Sequence, residues 1–285
     1  MLSDLDVRHD RGDQHLPRAR PEARGIVPRF KLTIEYAGTR YSGWQIQANA
    51  RTVQGEIDHA IREVTRRREF ELYGAGRTDA GVHALAQVAH LELYTDLPPA
   101  VLRSRINDAL AADIHIRQIE KVPHRFHARH DAVSRSYLYQ IARRKTAFFK
   151  PYVWWIKEPL DLARVRDAAA AFVGMKNFAS FTADEPGEKS TRVLIEGLEL
   201  AEDGALLLLR IQGSHFLWRM VRRIVGVLAA VGRGDLTVGQ AAGFLDERSG
   251  IPAALTAPAS GLFLERVMYA GDSGPGPLRG VFRVE

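Results

Sequence analysis

The sequence predicts an α+β protein made of two similar α/β halves, each a mostly antiparallel sheet with helices packed on one side. Three observations carry that expectation. Period-two runs such as "RFKLTIEY" alternate along the chain with apolar stripes of helical period. In the second half, "TRVLIEGLEL" and "ALLLLRIQG" meet at Asp203-Gly204 and read as a hairpin. The grammar of strands and helices in the first half recurs in the second, although no repeat is visible residue by residue. The 285 residues, 46% of them hydrophobic, suffice for a substantial core.

Taken in order, residues 1–28 mix Asp, Arg, His and Pro with no apolar run, and are expected to be a disordered tail holding neither signal peptide nor membrane anchor. The first half spans 29–133. Phe30, Leu32, Ile34 and Tyr36 alternate with polar residues as a half-buried strand. "GTRYSGWQIQ" follows as a glycine-punctuated loop carrying Tyr41 and Trp44. Thr52 then caps a helix that aligns Val53, Ile57, Ala60, Ile61 and Val64, with Arg62, Arg66, Arg67 and Arg68 on its polar side. "QVAHLEL" reads as a strand, "PPAVLRSRINDAL" as a helix with proline at its start, and "IHIRQIEKV" as a strand.

The second half spans 134–285 and enters through a basic, aromatic stretch that becomes a strand, with Tyr137, Tyr139 and Ile141 on one face. Asp161 caps a helix that stops at Gly174, and the hairpin follows. A long helix, "FLWRMVRRIVGVLAAVG", a second near "TVGQAAGFLDE" and the closing strand "GLFLERVMYA" complete it.

Composition narrows the function. A net charge of +6 and a pI near 9.7 favour an anionic partner such as nucleic acid. The absence of cysteine removes disulfides, cysteine nucleophiles and thiolate zinc sites, and fits a reducing cytoplasm. No stretch approaches the roughly 20 apolar residues that a membrane helix needs.

The stretch that stands out is "GAGRTDAGVHALAQVAHL", residues 74–91. Gly76 and Gly81 have a phosphate-loop spacing, but Val82 and His83 stand where Lys and Ser or Thr would be required. Two readings remain. Asp79 is either the polar residue of a tight turn, or a nucleophile on a loop whose small residues let a ligand approach. Arg77 could position a phosphate or displace a base. Arg222 falls on the apolar stripe of the long helix, over Trp218 and beside Val225, Gly226 and Ala229. A guanidinium there is partly buried and needs an anion, either Asp79 or another carboxylate. Tyr137 is either a core tyrosine or a ring that stacks on a nucleobase, flanked by Arg129, Arg135, Arg143 and Arg144.

Together these segments resemble the TruA-type tRNA pseudouridine synthases. "GAGRTDAGVHALAQVAHL" is similar to that family's signature, and "YAGTRYSGWQIQ", "FHAR", "SRSYLY", "MVRRIVG" and "GLFL" follow in the family's order across roughly residues 29 to 270. The resemblance implies two α/β halves with a basic active-site cleft between them, working as a homodimer. It implies isomerisation of uridine to pseudouridine in the tRNA anticodon stem-loop, at positions 38 to 40, with neither metal nor organic cofactor. Asp79 then takes the place of the catalytic aspartate and Arg222 pairs with it. Arg77 pushes into the stem as the base flips, Tyr137 stacks on the uracil with its hydroxyl placed to help remove the C5 proton, and Leu262 covers the other face. Arg66, Arg67, Arg143, Arg144, Lys145 and Lys150 are the candidates for phosphate contacts. "ADEPGEKSTRV" falls in a region that varies in the family. His124, His127 and His130 have a spacing that suggests a metal, but only "FHAR" fits the family, and the segment reads as a surface or RNA-facing one instead. A Mg²⁺-dependent nuclease would need clustered carboxylates, and Asp79 has none nearby in sequence.

Overall fold

The computed structural model describes residues 27–184 and 190–284. The expected tail lies almost wholly outside them, as does the middle of "ADEPGEKSTRV".

Strand β1 (Arg29–Tyr36) buries every second residue, as its alternation requires. Helix α1 (Val53–Thr65) starts where Thr52 accepts the Gly55 N–H at 3.2 Å. The helix ends at Arg66, whose φ of 56° is left-handed, so Arg66, Arg67 and Arg68 follow the helix instead of decorating its polar face. The chain has to turn there because Leu72 must reach the core as part of a strand. That strand, β2 (Glu71–Gly74), is too short to show a period in the sequence. After the loop of residues 75–82, β3 (His83–Glu92) begins four residues before the expected Gln87. Helix α2 (Pro99–Ala109) and strand β4 (Ile114–Val122) match their patterns.

Strand β5 (Ala132–Ala142) opens the second half and is joined in parallel by the two-residue β6 (Trp154–Trp155). Asp161 caps α3 (Leu162–Ala171) by accepting the Ala163 and Arg164 N–H groups, both at 3.1 Å. Strand β7 (Gly174–Asn177) precedes the hairpin of β8 (Arg192–Asp203) and β9 (Leu206–Gly213). Helix α4 (Met220–Arg233) is shorter than its apolar run suggests. Arg219 takes a left-handed φ of 62° and stops the helix from extending back through Trp218. Two short helices, α5 (Val238–Gly243) and α6 (Ile251–Ala254), lead to β10 (Leu262–Tyr269).

All ten strands join one sheet, ordered β4-β1-β3-β10-β5-β9-β8-β7, with β2 on β3 and β6 on β5. The last strand in sequence therefore lies in the middle. It runs parallel to β3 and antiparallel to β5, and every other pairing except β5–β6 is antiparallel. Leu262 belongs to an apolar cluster with α3 and α4, whereas Leu264, two residues on and so on the same face, belongs to one with α1 and α2. The helices of both halves thus pack on one side. Phe263, on the other face, joins a smaller cluster with Leu138, Leu208 and Val284. Tyr137 packs against both helical clusters, at the seam between them.

Candidate active site

The seam is where the site forms. On one edge of β3, β10 pairs with His83 and Ala84 while β2 pairs further along, at Ala89 to Glu92. The loop 75–82 lies between these two, so it borders both halves. It is clamped from below: Trp44 donates its N–H to the Thr78 carbonyl at 3.1 Å, and Gly81 donates to Tyr41 at 3.3 Å. The Tyr36 hydroxyl meets Thr78 Oγ1 at 2.8 Å, and Gln87 holds the Gly76 carbonyl at 3.0 Å. Gly43 is required by this packing. Its φ is +91°, and a Cβ there would come within 2.5 Å of the Thr78 oxygen. A loop fixed at so many backbone points carries its side chains to set positions.

Asp79 caps no helix. Its Oδ2 accepts from Arg222 Nη1 at 3.1 Å, with 21% of the Asp79 side chain and 16% of the Arg222 side chain exposed. Arg222 Nε donates to the Ala257 carbonyl at 2.8 Å, and Ala257 donates its own N–H to the Arg222 carbonyl at 3.0 Å. Arg222 sits in the first turn of α4, where the helix dipole disfavours a cation. Its position therefore depends on these two acceptors. Helix α4 comes close to the 255–257 segment at Gly226, where an added Cβ would lie 1.7 Å from the Leu255 oxygen. Gly226→Ala should lower unfolding stability by about 2 kcal/mol or more by forcing that segment away. Urea denaturation measures this.

Tyr137 neighbours Leu264 and Ile211 in the sheet and meets the Phe216 ring edge-on, centroids 5.0 Å apart. Burial pushes its phenol up to about 12, the Asp79 charge adds to the shift and Arg135 opposes it. The ring is therefore neutral at pH 7, with Asp79 close enough to be felt. Leu262 is 4% exposed and packs with Val82 and Tyr139, its partner across the sheet. Arg77 is exposed and donates to Gln45 Oε1 at 3.2 Å. Asp79, Arg222 and Tyr137 are thus brought together, Arg77 stands at the loop's outer edge, and Leu262 underlies the loop's end.

A carboxylate held by one arginine and set near a half-buried ring is a sound place for a charged nucleophile. The match to known proteins gives the family. The model of the family described as tRNA pseudouridine synthase matches residues 32–131 and 168–270. The chain belongs to that family. Three relatives, each named tRNA pseudouridine synthase A, agree with this. The one from Thermoanaerobacter pseudethanolicus is 37% identical over 84% of this chain and 98% of its own. That of Bartonella tribocorum is 36% identical over 85% and 100%. That of Citrifermentans bemidjiense is 39% identical over 84% and 97%.

The tRNA pseudouridine synthase family is one of isomerases, and the remaining candidates are placed in this one as follows. Arg143 is tied to Glu202 and to the Gly204 carbonyl, bracing the hairpin. Arg144 donates to the Lys145 carbonyl, Lys145 lies 5.8 Å from the Trp155 ring centre, and Lys150 is exposed. Six residues of strand put Arg143 roughly 20 Å from Tyr137. Arg66 lines a surface hollow with Glu63, Arg105 and Asp108, and Arg67 is exposed beside it. Among the described residues no group of histidines and carboxylates is arranged to hold a metal. His127 Nδ1 instead accepts the backbone N–H groups of Arg129 and His130, each at 3.2 Å.

Three parts of the synthase site escape the sequence: Phe216, the Ala257 carbonyl and His83. Phe216 was concealed in the expected helix, and a backbone carbonyl leaves no mark in a sequence. His83 accepts the Gly38 N–H at Nδ1, so Nε2 carries the proton and meets the Pro151 carbonyl at 3.1 Å. Its ring stacks on Phe263 with centroids 4.7 Å apart, tying the loop's end to the second half. Burial pushes its pKa down to about 4, and that of His90 likewise. The folded values lie below the unfolded one near 6.5, so only the unfolded chain takes up these protons between pH 6.5 and 4. Stability is full above that window and falls as pH drops through it. Each histidine should cost about 2 kcal/mol between pH 7 and pH 5. Urea melts at the two pH values should show the loss, and His83→Gln should remove the His83 share of it.

Proposed function

We propose that the protein isomerises uridine to pseudouridine at positions 38, 39 and 40 of the tRNA anticodon stem-loop, with Asp79 as the nucleophile. The observation that carries this is the Asp79–Arg222 pair beside Tyr137, on a loop that both halves hold. The N1–C1′ bond breaks, the uracil turns, and a C1′–C5 bond forms. C5 then loses its hydrogen and N1 gains one, so no atom enters or leaves overall. Asp79 supplies the electron pair for the exchange. Arg222 pairs with the carboxylate and keeps it aimed while RNA excludes water. Tyr137 stacks on the uracil, Leu262 bounds its other face, and the Tyr137 hydroxyl lies near the C5 hydrogen.

Reaching Asp79 requires the uridine to leave its stack, at a cost of a few kcal/mol. Arg77, exposed and two residues from Asp79, fills the space the base leaves and holds phosphate, offsetting part of that cost. The net charge of +6 supports tRNA as the partner, with Arg66, Arg67, Arg143, Arg144, Lys145 and Lys150 as outlying phosphate contacts. The protein acts as a homodimer in the cytoplasm, where one subunit grips the tRNA body while the other presents its site. No helix among the described residues is long and apolar enough to cross a membrane. Mapping pseudouridine in tRNA incubated with the protein tests the assignment. Product confined to the anticodon arm is expected, and product elsewhere, or on no tRNA, overturns it.

A further inference from the structure

Beside the loop that carries Asp79 runs a groove lined by Trp44, Gln45, Tyr73, Gly76, Arg77 and Arg129. Strand β2 contributes Tyr73 and Gly74 to its wall. Nothing in the mechanism above uses Tyr73 or Arg129, yet the surroundings fix the Tyr73 ring and the Arg129 backbone.

Tyr73 is 43% exposed, a large aromatic surface to leave in water. One face of its ring is covered by His90, at 5.7 Å and 23° between planes, and His127 meets it edge-on at 5.0 Å. The ring lines the groove. His90 is itself held by the Ala128 N–H at Nδ1, 3.1 Å away, so the ring rests on a rigid floor. Arg129 follows from the same turn. Its backbone N–H is bound by His127, and its carbonyl accepts from Arg135 at 2.8 Å. Only its side chain is free to move.

The charges are of one sign. Among the described residues neither the Arg77 nor the Arg129 guanidinium meets a carboxylate, and no acidic residue lines the groove. The nearest on β2 is Glu71, two residues back from Tyr73 and away from the loop. Space is open as well, since a Cβ built on Gly76 would touch nothing within 4 Å. An aromatic face, two unpaired guanidiniums and an amide at Gln45 are the chemistry that takes one nucleotide: ring for base, cations for phosphate, amide for a base edge or sugar. Arg77 is two residues from Asp79, so the Cα atoms of the two lie about 7 Å apart at most. That is the span of a single nucleotide.

We propose that this groove holds the nucleotide next to the reacting uridine, its base stacked on the free face of Tyr73 and its phosphate between Arg77 and Arg129. The proposal rests on the assignment of Asp79 as the catalytic residue. A stacking platform tolerates any base, which lets one site serve neighbouring target positions whose flanking nucleotides differ.

The test uses the full chain carrying Asp79→Asn, which binds without turnover, and an anticodon stem-loop RNA with 4-thiouridine next to the target uridine. Irradiation should place the crosslink in the tryptic peptide Glu69–Arg77. Tyr73→Ala should weaken binding roughly ten-fold, and Tyr73→Phe should restore it because the ring carries the contact. Arg129→Gln, on an exposed side chain, should reduce the slope of log Kd against log salt by about one. A crosslink elsewhere, or affinity and salt slope unchanged in both Tyr73→Ala and Arg129→Gln, overturns the groove alone if the Asp79 protein still makes pseudouridine. If that protein makes none on any tRNA, the assignment beneath the proposal has failed instead.

Discussion

An Asp79→Ala protein should make no detectable pseudouridine, a loss of at least about 10⁴-fold, while still binding tRNA. No other carboxylate is bound to Arg222 among the described residues, so no second group stands ready to replace it. The binding surface should survive because the loop 75–82 is held by backbone contacts from Trp44, Gly81, Val82 and Ala75 that do not involve the Asp79 side chain. Alanine also strands the Arg222 cation, which retains only the Ala257 carbonyl. Asp79→Asn separates the two effects. It keeps the shape and an acceptor for Arg222 but loses the charge, so it should fold like the wild type and be as inactive as alanine. Product from either variant in quantitative mapping would show that Asp79 is not the nucleophile.

Arg222→Ala should lower kcat roughly 100-fold with a much smaller change in tRNA affinity. The arginine acts through Asp79: with its 3.1 Å contact gone, the carboxylate loses the group that sets its rotamer and neutralises it in a partly buried place. Arg222→Lys keeps the charge but cannot bind Asp79 and the Ala257 carbonyl at once through two nitrogens of a planar fork. It should recover about a tenth of the lost activity. Single-turnover rates at saturating tRNA, beside a binding isotherm, divide the two effects. A pure affinity defect would place Arg222 among the RNA contacts and not behind the nucleophile.

How much of the site could be read beforehand depended on how local its signals were. Asp79 and Arg77 stand in one unbroken motif, and Tyr137 and Tyr139 share a strand face by simple alternation. The partnership of Arg222 with an anion followed from a cation on an apolar stripe. The start of α4 did not follow, because "FLWRMVRR" carries helical period through Trp218 while the chain bends at Arg219. Trp218 is instead 50% exposed, with the Arg219 guanidinium 5.0 Å from its ring centre. The arginines after α1 were misplaced for the same kind of reason, since propensity extends a helix until the demand of a distant strand stops it. Strands of two and four residues, β6, β2 and β7, fall below the length at which a period can be seen.

Alternation and capping in the sequence by themselves determined the long strands, the α1 and α3 caps, the β8–β9 hairpin and the identity of the motif that carries Asp79. Each of these depends on neighbours within a few residues, where hydrogen bonds and side-chain period are set. Only the tertiary structure decided that β10 enters between β3 and β5, which makes two halves one sheet and brings Asp79, Tyr137 and Arg222 to a common seam. It also decided the Tyr73 groove, built from β2, the 127–130 turn and the loop. Those meetings span from tens of residues to more than a hundred, and they are selected by how buried faces close over one another, a property no local window contains.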